Sequence, residues 1–166
     1  GLDVGQLMQA SGGGRGVYIT PSHHYPLGYS LSLERRLALL QWAQRGRAWI
    51  IEDDYDAEFN YDRQTKAALQ GLDSGGRTLY IGTFSKTLFP GLRIGFMIAP
   101  PQLVRPLVAA RQFQDGYTSA LAQMTLFHCL HEGGYAEHLR NMRTLYKARL
   151  DVLYDAVQRH LAPWTH

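Results

Sequence analysis

The sequence predicts an α/β fold, a sheet of apolar strands covered by helices on both faces. Three observations carry this. Strand-like and helix-like segments alternate in the order β-α-β-β-β-α-α-α. The strand segments are near-continuous apolar runs, as expected of strands buried on both sides. The helical segments place apolar residues at steps of three and four.

The elements follow in order. After a Gly-rich stretch, Ser11 to Gly16, expected as a flexible turn, Val17-Tyr18-Ile19-Thr20 has strand composition and is stopped by Pro21. Ser32 reads as an N-cap with Glu34 in the first turn, Leu33, Leu37 and Leu40 form an apolar stripe, and Gly46 closes the helix. Trp49-Ile50-Ile51 then runs into Glu52-Asp53-Asp54, which suits a central strand whose carboxyl end leaves the core, with the three acids at the sheet's rim. Thr78 to Gly82 and Gly95 to Ala99 supply two more strands, the last ended by Pro100-Pro101. Helices are expected at 102–113, at 119–132 and, as one long element, at 136–160, with Leu139, Met142, Tyr146, Leu150, Leu153, Val157 and Leu161 along one side. Its Arg140, Arg143, Lys147 and Arg149 are expected as a solvated face.

Composition bounds the function. A length of 166 residues suits about one core, and 45% apolar with 19% charged residues argues against disorder. The net charge of +3 comes without a basic run, so no nucleic-acid stripe is called for. The lone cysteine, Cys129, permits neither an internal disulfide nor a thiolate metal site, which fits a cytoplasmic protein. The apolar tract 91–110 carries Arg93, Arg105 and three prolines and is no membrane span, and the start lacks the blocks of a signal peptide. The chain begins without methionine, so a longer parent is expected. His23-His24 and the pair His128 and His131 lack a third ligand at recognisable spacing and are expected as structural histidines.

In α/β sheets ligands gather outside the carboxyl ends of the strands, which directs attention to 20–28, 53–55 and 83–93. In the last of these a strand opens into Thr83, Ser85 and Lys86, with Arg93 seven residues on. A lysine in a partly buried, apolar place loses some preference for its charged form and becomes a nucleophilic amine toward an aldehyde. Hydroxyls and a guanidinium hold a phosphate dianion. A lysine beside a phosphate cradle suggests pyridoxal 5'-phosphate. That cofactor also needs a carboxylate facing its ring nitrogen, for which Asp53 or Asp54 is placed, and Tyr55 can donate to its ring oxygen.

With these residues in order, the chain resembles the fold type I pyridoxal-phosphate proteins, and more closely the aminotransferase-like domain of MocR-type transcription regulators of the GntR superfamily. The resemblance is carried by Thr20-Pro21-Ser22-His23-His24-Tyr25-Pro26-Leu27-Gly28, by Ile50 to Phe59, and by Gly82-Thr83-Phe84-Ser85-Lys86-Thr87-Leu88 through Pro90-Gly91-Leu92-Arg93. It implies that Lys86 is the Schiff-base and catalytic lysine, and that Asp53, rather than Asp54, faces the pyridine nitrogen. Tyr55 becomes the phenolate partner, and Thr83, Ser85 and Arg93 become phosphate ligands. Ordinary aminotransferases of this family carry Asn-Pro-x-Gly where this chain has Tyr25-Pro26-Leu27-Gly28, a departure that the regulators share.

The resemblance implies part of the large domain of a three-layer sandwich with a mostly parallel sheet. Residues 1–135 would be a partial cofactor-binding domain, and 136–166 a long helix leading into a small C-terminal domain. The function it implies is effector sensing by a regulator that holds pyridoxal phosphate, with a small amino compound as effector and a homodimer as the assembly. DNA would be bound only through a winged helix-turn-helix outside these residues. The alternative is a class I/II aminotransferase acting on an amino acid or amine. An exposed sheet edge and weak cofactor affinity are expected of these residues alone.

Overall fold

In a computed structural model of the chain, residues 2–9, 14–61 and 67–161 are described. Four strands form one sheet in sequence order: β1 (Gly16–Ile19), β2 (Trp49–Asp54), β3 (Thr78–Thr83) and β4 (Gly95–Ile98). The pairs β1/β2 and β2/β3 are parallel, and β4 turns back antiparallel to β3. The reversal follows from the connection, because residues 84–94 are too few for the crossover that a parallel return needs. The Gly-rich residues 11–13 and the end of the chain, 162–166, lie outside the described residues.

The helices are α1 (Val4–Gln9), α2 (Leu33–Gly46), α3 (Leu69–Leu72), α4 (Pro101–Asp115), α5 (Ala120–His131) and α6 (Gly134–Leu161). α2 begins as its sequence suggests. The Ser32 hydroxyl accepts from the Arg35 amide at 3.4 Å, and Glu34 sits in the first turn. Its end differs, because Arg47, not a glycine, takes the left-handed conformation (φ 50°) and returns its amide to the Ala43 carbonyl.

The buried face of α2 is also not the expected one. Arg36, Leu39 and Ala43 are fully buried, whereas Leu33 and Leu37 are 56% and 44% exposed. The helix is rolled so that Arg36 meets a buried carboxylate, described below, and Leu39 and Ala43 follow it into the core with Ile19, Leu31, Ile50 and Leu69. Replacing Leu39 by alanine is therefore expected to cost about 2–5 kcal/mol in urea unfolding. Leu33→Gln or Leu37→Gln should stay within about 0.5 kcal/mol, and a larger loss at Leu33 than at Leu39 would contradict this packing.

β2 alternates strictly between half-buried and buried positions, with Ile50, Glu52 and Asp54 inward. The expectation that all three acids stand at the rim is thus corrected, since Glu52 is completely buried and Asp54 is 7% exposed. Gly82 on β3 is fixed by close approach, because a Cβ there would meet the Phe96 ring at 2.4 Å. That ring lies between Tyr80 and Phe84, with centroids 6.0 and 5.5 Å away. β4 is exposed along its length.

The chain divides into two compact units, 1–122 and 123–166. The second is dominated by α6, which has no fully buried residue. Of its expected apolar stripe Leu139, Met142, Tyr146 and Val157 are half-buried, while Leu150, Leu153 and Leu161 are exposed. Arg140, Arg143, Lys147 and Arg149 are exposed, with Lys147 paired to Asp151 and Arg149 over the Tyr146 ring at 5.8 Å. Among the described residues no helix is long and apolar enough to cross a membrane.

Candidate functional site

A cavity of about 870 Å³ opens beyond the carboxyl ends of β1 and β2, and Tyr18, Thr20, His24, Asp53, Tyr55 and Lys86 are among its lining residues. Three residues singled out from sequence, Asp53, Tyr55 and Lys86, therefore meet in one space. The pleat accounts for the first two. They lie two apart at the end of β2 and point to one side, while Asp54 between them points to the other.

The two aspartates, which the residue pattern alone left open, are thereby separated. Asp53 reaches the cavity and accepts a hydrogen bond from the Tyr18 hydroxyl. Asp54 is buried and accepts one from the Tyr80 hydroxyl at 3.0 Å. Burial, then the charge of Asp54 and that hydrogen bond, push the Tyr80 phenol well above its ordinary range. The Tyr55 hydroxyl donates to the His23 carbonyl at 3.0 Å, and burial, then the charges of Asp56 and Asp53, push its phenol up.

Lys86 stands in the turn after β3, closed by the Leu88 amide on the Phe84 carbonyl at 2.9 Å. Its side chain is exposed at the cavity, not held in the partly buried apolar place expected of it. The turn explains this, for Thr87 takes the buried position and leaves Lys86 facing out.

Thr83, Ser85 and Arg93 are not among the cavity's lining residues. Thr83 and Ser85 are joined locally, the Ser85 amide donating to Thr83 Oγ1 at 3.1 Å. Arg93 follows the short turn Pro90–Leu92 in left-handed conformation (φ 53°), exposed between the buried Leu92 and Ile94.

The far wall is the strap 20–31, and its anchors were missed in the sequence. Arg36 donates from Nη2 to the Pro21 carbonyl at 2.9 Å, from Nε to Leu31 at 3.1 Å and from Nη1 to Ala67 at 3.0 Å. Its guanidinium stands 3.8 Å from Glu52 Oε1, with both side chains at 0% exposure. Glu52 in turn accepts the amides of Leu69 and Gln70 at 2.8 and 2.9 Å. Burial pushes the Glu52 carboxyl up, and the two amides and Arg36 oppose it. His23 Nδ1 lies 2.8 Å from Asp56 Oδ1 and ties the strap to the end of β2, which is the structural place expected of it. His24 turns to the cavity, its buried Nδ1 without a partner among the described residues.

Asp53, Tyr55 and Lys86 thus stand at the carboxyl edge of a mostly parallel α/β sheet, where such sheets gather their ligands. The family model for aminotransferase class I and II matches residues 1–166, and the chain belongs to that family. It is similar to the probable rhizopine catabolism regulatory protein MocR of Rhizobium meliloti, 47% identical over 89% of this chain and 30% of the relative. It is also similar to aromatic-amino-acid aminotransferase 1 of Thermococcus litoralis, 33% identical over 90% of this chain and 36% of that protein. Among solved structures, Pyrococcus horikoshii kynurenine aminotransferase, crystallised with PMP, superposes with a TM-score of 0.82 at 33% identity, over 87% of this chain and 36% of the other. The chain thus spans about a third of the length of the proteins it matches.

Proposed function

We propose that this chain is the cofactor-binding part of an aminotransferase-like, effector-sensing domain in a MocR/GntR-type transcription regulator, with pyridoxal 5'-phosphate attached at Lys86. The observation that carries the reading is the convergence of Asp53, Tyr55 and Lys86 on one cavity. The residues fit the group: an acid for its ring nitrogen, a phenol for its ring oxygen and an amine for its aldehyde. The cavity volume of about 870 Å³ is ample for it and a small ligand besides. When bound, the group supplies an electron-withdrawing ring and a reversible covalent hold on amines.

In this reading Asp53 would bind and orient the ring, Tyr55 would brace its oxygen side, and Lys86 would hold the group through its amine. Thr83 at the end of β3, Ser85 in the turn after it and Arg93 just before β4 are assigned to the phosphate, with the exposed Arg93 guanidinium as its main charge partner. Residues 136–166 would lead toward a small C-terminal domain. DNA binding through a winged helix-turn-helix, a homodimer and a cytoplasmic location belong to the proposed parent protein.

The regulator is favoured over the enzyme by the 47% identity to MocR against 33% to the aminotransferase. The second reading, a class I/II aminotransferase in which Lys86 also moves the substrate's α-proton, is supported by that same 33% match and by the fold of the kynurenine enzyme. Steady transamination by the full-length protein with a 2-oxo acid would decide for the enzyme.

The cavity reading is tested by equilibrium dialysis with pyridoxal phosphate. Asp53→Asn is expected to weaken binding about tenfold or more, on the scale of a lost charge-assisted hydrogen bond. Asp54→Asn should leave affinity near wild type and act on stability through Tyr80. The reverse order would assign the ring nitrogen to Asp54 instead.

A further inference from the structure

We propose that Tyr18 is a positioning residue for Asp53, its hydroxyl reaching from β1 to hold the carboxylate turned into the cavity. The proposal rests on the cofactor reading above and adds to it a residue on the neighbouring strand.

The strand register makes the contact possible. Tyr18 is level with Ile51 of the parallel β2, and Asp53 lies two residues further along, so both side chains stand on the same face. The Tyr18 hydroxyl donates to Asp53 Oδ2, and both residues line the cavity. Tyr18 is 60% exposed, so burial does not hold its ring in place, whereas its neighbour Ile19 turns inward at 7%. What the ring gains at this position is its hydroxyl contact.

The phenol responds accordingly. The hydrogen bond to Asp53, then burial, then the charges of Asp53 and Tyr55, push it up to about 12. Tyr18 therefore remains a proton donor throughout the neutral range, and the Asp53 oxygen it engages is kept from swinging away from the cavity. Asp54 has the same kind of partner on the other face of the sheet, the half-buried Tyr80, but neither residue of that pair lines the cavity. Of the two tyrosine–aspartate pairs, only the Tyr18 pair can serve a ligand.

The test compares pyridoxal phosphate with its 1-deaza analogue, in which a C–H replaces the ring nitrogen, both measured by equilibrium dialysis. Tyr18→Phe is expected to weaken pyridoxal phosphate about tenfold and to leave the deaza analogue unchanged. In the Asp53→Asn background the same substitution should add nothing. Equal losses for both ligands, or an undiminished loss in that background, would assign Tyr18 a merely structural role and overturn the proposal.

A ligand-independent readout separates this from failure of the cofactor reading. The ultraviolet difference titration of wild type against Tyr18→Phe should show a phenol midpoint above the ordinary tyrosine range that falls when Asp53 is replaced by asparagine. A midpoint that does not move overturns the contact itself. If the midpoint moves but wild type binds neither ligand, the cofactor reading falls and the positioning role falls with it.

Discussion

Replacing Arg36 by methionine is expected to lower the unfolding free energy by about 3–5 kcal/mol, the range for leaving one partner of a buried ion pair alone. The guanidinium is fully buried and holds three backbone carbonyls, those of Pro21, Leu31 and Ala67, besides facing Glu52. Methionine fills much of the volume but satisfies none of the carbonyls. It also strands a carboxylate whose remaining partners are the Leu69 and Gln70 amides. Glu52→Gln should also destabilise, because an amide group offers one acceptor oxygen where two are used. The double variant should cost less than the sum of the two, since each single change already breaks the shared contact. Denaturant unfolding measures all three, and a loss below about 1 kcal/mol for Arg36→Met would mean that this pair does not hold the strap. Because Arg36 grips Pro21 and Leu31, the same variant should also loosen the cavity wall that carries His24.

Lys86→Ala is expected to abolish retention of pyridoxal phosphate through dialysis while leaving unfolding within about 0.5 kcal/mol of wild type. The two halves follow from one observation. The side chain is exposed, so little packing depends on it, yet it faces the same cavity as Asp53 and Tyr55. Lys86 is the only lysine among the described lining residues, so its removal would leave Asp53 and Tyr55 to bind the group reversibly. The absorbance retained after dialysis distinguishes the two proteins. Retention by Lys86→Ala equal to wild type would place the attachment elsewhere.

Much of the fold could be read from local signals. The four strands fall on apolar runs ended by proline, glycine or acid, and Ser32 caps α2 as a serine before a helical stripe should. What could not be read was which face turned inward. On α2 the leucine stripe gave the wrong face, because a buried arginine took the central position and drew Leu39 and Ala43 in with it. Periodicity counts a buried arginine as polar and therefore points away from it. On β2 the run Glu52-Asp53-Asp54 suggests a solvated edge, but strand parity puts Glu52 on the side of Ile50. The signal was available in that alternation.

The site was legible in its residue types and less so in its arrangement. Asp53, Tyr55 and Lys86 were placed by motif and share a cavity, while Thr83, Ser85 and Arg93 lie outside its lining. The part played by Tyr18 depends on the register of β1 against β2, which no local pattern encodes. His23 and Asp56 meet for a similar reason, 33 residues apart in sequence.

The central claim is that Lys86 carries the cofactor. The most direct measurement is borohydride reduction of the wild-type chain with stoichiometric pyridoxal phosphate, followed by peptide mass mapping. The chain contains three lysines, Lys66, Lys86 and Lys147, so the outcome is easily read. A reduced phosphopyridoxyl adduct on Lys86 alone is expected. An adduct spread evenly over the three lysines, or confined to Lys66 or Lys147, would contradict it.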